Sequence, residues 1–70
     1  MNRERASRLA RAGAVYWPAH RKWIIDTAAA GWSGPPEMVY LTRMGWTEVP
    51  KAFVPAARRF YAEHHEENRP

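Results

Sequence analysis

Prolines and glycines partition this chain before any other residue type is weighed. Pro18, Gly31, the tandem Pro35-Pro36, Gly45, Pro50 and Pro55 recur so closely that no uninterrupted helix or strand can run much beyond about sixteen residues. The segments between them are short, and a chain of 70 residues buries only about 60% of the surface it exposes when unfolded. With no cysteine there is neither a disulfide nor a thiolate zinc site, so packing or a partner must supply the stability. Four Trp, three Tyr and two Phe provide the bulk, and twelve alanines lower the cost of forming helix. The composition predicts an all-α fold: one domain over residues 1–70, a compact bundle of three to four short helices around an aromatic core, frayed at 67–70.

The segments place those helices. At about 100° per residue, Ala6, Leu9, Ala10, Gly13, Tyr16 and Trp17 share one side of a helix, and Arg3, Arg5, Arg8 and Arg11 share the other. That helix should start near Asn2 and stop at Trp17, because Pro18 disfavours helical geometry in the residue before it. A second helix is predicted over residues 18–30, apolar around most of its circumference through Trp23, Ile24 and Ile25, and closed by Gly31. A third is predicted from Pro35 or Pro36 to Gly45, where a left-handed glycine would turn Trp46 back onto Leu41. Pro55 would clash with the carbonyl of Lys51 in a continuous helix, so a break falls at Val54 and a last helix runs from Pro55 to about Glu66.

Charge is distributed unevenly. Residues 1–22 hold six cations (Arg3, Arg5, Arg8, Arg11, Arg21, Lys22) against Glu4, a balance of +5; residues 23–70 hold five against six acids, a balance of −1. The whole excess lies at one end, and nine of the eleven cations are arginine, the side chain suited to bidentate contact with phosphate or carboxylate. No stretch approaches the roughly 20 apolar residues of a membrane span, and no apolar signal core follows the first residues, so a cytoplasmic location is expected.

Catalytic and ligand-binding patterns are sparse. His64 and His65 are adjacent and would point about 100° apart on a helix, and His20 is far away in sequence, so no metal site is predicted. Ser7 and Ser33 lack the glycine-bounded turn of an activated nucleophile. Glu63 and Glu67 fall on a solvated stretch, and residues 31–34 lack the lysine of a phosphate loop. Neither a catalytic function, a cofactor nor a small-molecule substrate is expected. Residues 41–47 resemble the turn of a helix-turn-helix, but Pro50 and Pro55 interrupt the would-be recognition helix, so this corner is read as structural.

Surface recognition remains. The leading expectation is a small DNA-binding accessory or regulatory protein that contacts backbone phosphates through Arg3, Arg5, Arg8 and Arg11, supported by Arg21 and Lys22. The alternative is an inhibitor or adaptor covering an acidic protein surface with the same residues and a tryptophan. Trp23 and Trp46 are read as core. Trp17 and Trp32 border breaks in the chain, and Trp17 joins the candidate surface as a partner or base-stacking ring.

Overall fold

The computed structural model describes residues 3–65, so the Asn2 cap and the tail at 67–70 lie outside the described residues. The chain is not an all-α bundle. It forms a helix α1 (Arg3–Arg11), four strands β1 (Val15–Trp17), β2 (Lys22–Asp26), β3 (Met38–Thr42) and β4 (Gly45–Glu48), a single 3-10 turn (Lys51–Phe53) and a helix α2 (Val54–His64). The strands pair antiparallel in sequence order β1-β2-β3-β4, a meander with a helix against each face.

The helix expected to reach Trp17 stops a turn and a half earlier. Gly13 adopts φ 98°, its N–H donates to the Ala10 carbonyl at 3.0 Å, and the Ala14 N–H donates to Leu9 at 2.9 Å. This pair of bonds closes a helix with a left-handed glycine and sends the chain straight into β1. Helix α1 buries none of its residues fully; Leu9, its one large aliphatic, packs against Ala14, Ile25 and Val39.

The helix expected over residues 18–30 is replaced by a hairpin and a loop. Pro18 opens the β1–β2 turn, Arg21 closes it at φ 52°, and Lys22 begins β2 opposite Trp17. Trp23, Ile24 and Ile25 are apolar all round because the strand is covered on both faces: Ile24 faces Tyr61 and Ala57 of α2, and Ile25 faces Leu9 of α1. A short apolar run covered on both sides has no period with which to separate strand from helix, and its β-branched and aromatic content then favours the strand. Gly31 does adopt a left-handed conformation, φ 80°, but it closes an isolated helical turn in the loop after β2. The Asp26 carboxylate starts that turn by accepting from the Ala28 amide at 3.2 Å. Buried Thr27 joins the two ends of the loop: its N–H donates to the Glu37 carbonyl at 2.9 Å, and its Oγ1 accepts from the Glu37 N–H at 2.9 Å.

The helix expected from Pro35 to Gly45 is likewise a hairpin, formed by β3 and β4. Gly45 takes φ 99° where it pairs with Thr42 to close the two-residue turn Arg43-Met44, not as a helix cap. Thr42 Oγ1 accepts from the Met44 amide at 3.1 Å and donates to the Gly45 carbonyl at 3.0 Å, which fixes the turn. Leu41 and Trp46 do meet, as cross-strand partners. After Pro50 the 3-10 turn precedes α2, in whose first turn Pro55 sits where its missing N–H costs no hydrogen bond.

Val15, Trp17, Ile24, Met38, Val49, Ala57 and Tyr61 form the larger core between the sheet and α2. Ala14, Ile25 and Val39 form a smaller one on the α1 side, completed by half-buried Leu9, Trp23, Ala30 and Trp46. The Tyr61 hydroxyl reaches past the sheet to donate to the Gly13 carbonyl and ties α2 to the end of α1.

Candidate functional site

Because the strands alternate direction, the β1–β2 and β3–β4 turns lie at the same end of the sheet. Arg21 stands in the first turn and Arg43 in the second. Along the wheel of α1, Arg5 is only about 40° from Leu9, the residue anchored to the sheet, whereas Arg8, Arg3 and Arg11 are about 100°, 120° and 160° away. Arg5 therefore leans over the sheet while the other three turn outward. Arg5, Arg21 and Arg43 together rim an open groove of about 290 Å³ floored by Tyr16, Trp23 and Leu41. Lys22 borders the edge of the same groove, but its Nζ lies 5.8 Å from the ring centroid of Tyr40, which belongs to the α2 face of the sheet.

No acidic side chain lines this groove among the described residues. A second depression, about 200 Å³, mixes Glu37 and Glu48 with Lys51 and Arg58. The contrast matters because cations of one sign around a concave surface reinforce one another's field, whereas paired charges cancel. Arg5 also has an interaction within the chain; Arg21 and Arg43, in the two turns at one end of the sheet, would both attract an anion set between them.

The floor is aromatic. Tyr16 and Trp23 are cross-strand partners whose rings meet edge to face at 5.5 Å and 67°. Trp23 Nε1 is buried and has no hydrogen-bond partner among the described residues, so the indole is held there by packing, its ring against Tyr16. Continuing the β2–β3 register by one residue sets Leu41 beside Trp23, and Leu41 pairs with Trp46, which contacts Trp32 edge to face at 5.9 Å. A row of apolar side chains thus crosses all four strands on one face, about 14 Å long at a strand spacing of about 4.8 Å.

The structure divides the seven candidate residues. Arg5, Arg21 and Lys22 come together at the groove; Arg3, Arg8 and Arg11 are exposed on the outer side of α1, where Arg11 Nε donates to the Ser7 carbonyl at 3.4 Å. Trp17 is 4% exposed, part of the core on the opposite face, and stacks on His20 at 4.1 Å; it is not a surface ring. Arg43 and the floor residues Tyr16, Trp23 and Leu41 are not among the residues the sequence singles out. Arg43 is marked by its place in a turn between the apolar runs of β3 and β4, a hairpin signal; Tyr16 and Trp23 were assigned to helix faces, which concealed their pairing. His64 lies beside Phe60 at 4.1 Å, and half-buried His65 stacks on Tyr61 at 5.1 Å. No group of three or more metal-ligating side chains occurs among the described residues. No helix of the described residues is long and apolar enough to cross a membrane.

Compared with protein-family models, curated proteins and solved structures, the chain has no significant match.

Proposed function

We propose that this chain is a small, non-catalytic, cytoplasmic nucleic-acid-binding protein that grips backbone phosphates in the groove rimmed by Arg5, Arg21 and Arg43. One observation carries the reading: arginines from three segments distant in sequence converge on one concave surface that no acidic residue lines among the described residues. Arginine suits phosphate because its planar donors can engage two oxygens at once. Exposed Arg3, Arg8 and Arg11 extend the positive surface along α1.

The test is a titration of fluorescein-labelled random-sequence oligonucleotides at several salt concentrations. Three arginine–phosphate contacts should give a slope of log affinity against log salt of roughly −2 to −3. An Arg21→Glu/Arg43→Glu double variant should lose more than about tenfold in affinity and flatten the slope. Binding that ignores salt, or that survives the double variant, refutes the reading. The alternative, an acidic protein surface, draws on Met44, 93% exposed at the hairpin tip beside Arg43. It would be favoured by absence of nucleic-acid binding together with stoichiometric capture of one protein, capture that Arg43→Glu and Met44→Ser abolish.

A further inference from the structure

We infer that the occupant of the groove is a single strand, with unpaired bases lying on the Tyr16–Trp23 floor and on the Trp46–Trp32 pair while Arg21 and Arg43 hold phosphates at the turn end of the sheet. The inference rests on the nucleic-acid reading and narrows it. Trp23 and Trp46 help to close the smaller core on the α1 side, and Trp23 with Tyr16 also borders the open groove between its cations. Here Tyr16 and Trp23 form the floor, within reach of anything the arginines bind. Paired bases are stacked inside a duplex and offer no free face, whereas unpaired bases can stack on a side-chain ring whatever their sequence.

The arrangement also has a direction. Arg21 and Arg43 stand at the ends of β1 and β3, and the apolar row of Tyr16, Trp23, Leu41 and Trp46 crosses the strands one step further in. A strand lying across the sheet therefore sets its phosphates against the turns and its bases on the row. Trp32 adds a second ring at the Trp46 end of the row; it is 39% exposed and comes from the loop after β2, so it is not part of the sheet's own register. Two aromatic contacts separated across the face provide places for at least two bases. Helix α1 bounds the face through Leu9 and contributes Arg5 at the rim, which leaves the turn end of the face as the approach.

The experiment compares three labelled ligands of about 12 nucleotides at low salt, within the usual range of single-strand site sizes: an oligothymidylate strand, an abasic strand with the same phosphates, and a duplex. The full chain should bind the base-bearing strand at least tenfold more tightly than either of the others, with quenching of tryptophan fluorescence. Trp32→Ala, in a loop, and Tyr16→Leu, which keeps an apolar side chain in β1, should each lower affinity for the base-bearing strand about five- to hundredfold and leave the abasic strand unchanged. Tyr16→Phe, which retains the ring, should restore binding. Far-ultraviolet circular dichroism of each variant confirms that it is folded. Equal affinity for abasic and base-bearing strands, or tighter binding of duplex, overturns the single-strand inference and leaves phosphate binding standing. Failure of all three ligands to bind overturns both.

Discussion

The Tyr61 hydroxyl ties α2 to the end of α1 from the far side of the sheet. Tyr61 is 2% exposed, and its hydroxyl donates to the carbonyl of Gly13, 48 residues earlier. Tyr61→Phe keeps the ring and its packing and removes one hydrogen bond. The net contribution of such a bond is about 0.5–1.5 kcal/mol, and because Gly13 is only half-buried its carbonyl can regain water, which sets the expected loss near 1 kcal/mol. In a domain of this size that lowers the thermal midpoint by about 4–8 °C. Thermal unfolding followed by circular dichroism, with urea titration at 25 °C, measures it. Tyr61→Ala is the companion variant. Loss of the ring should cost about 3–5 kcal/mol, comparable with the whole stability of a 70-residue domain, and leave much of the chain unfolded. A midpoint for Tyr61→Phe within about 1 °C of the parent, where 4–8 °C is expected, would show that the hydroxyl bond to Gly13 contributes nothing to holding α2 against the end of α1.

Three further substitutions probe the features that set the sheet apart from a bundle. Gly45→Ala should cost about 1–2 kcal/mol in urea unfolding through backbone strain alone, because φ is 99° and nothing lies within 4 Å of the new Cβ; an unchanged midpoint would mean the β3–β4 turn has another conformation. Thr27→Val should cost about 1–3 kcal/mol by removing the acceptor of the Glu37 amide, and hydrogen exchange at that amide should accelerate; unaltered exchange counts against the closed loop. Ile24→Ala, at a fully buried central-strand position, should cost about 2–5 kcal/mol; a loss under about 1 kcal/mol would be incompatible with burial against α2.

Much of the site was legible in pieces. The excess of cations at one end and the arginine face of α1 can be read directly from residues 1–22, but that face divides when the helix is seated. Arg5 lies beside Leu9 and turns with it toward the sheet, while Arg3, Arg8 and Arg11 point away. Arg43 sits outside the basic segment altogether, and nothing in its immediate neighbours says that it meets Arg5 and Arg21. Trp17 borders Pro18, a location that suggests a surface, yet alternation along β1 puts it on the core side and Tyr16 on the groove side.

Several breaks in the chain follow from covalent geometry: Gly31 and Gly45 take left-handed conformations closed to most side chains, Pro18 and Pro50 precede turns, and Pro55 sits in the first turn of α2, whereas the break at Gly13 is not marked in the sequence. Local chemistry likewise suffices for α2, whose apolar spacing matches one helical face. What lies between the breaks in residues 14–48 was decided by tertiary structure, because short apolar runs such as those around Ile24 and Val39 satisfy either backbone. The choice depends on hydrogen bonds to strands as far away as Ile24 is from Tyr40, a partner no local pattern reveals. The groove exists for the same reason. It is made where two turns and a helix meet at one end of a sheet, and only pairing the strands brings them there.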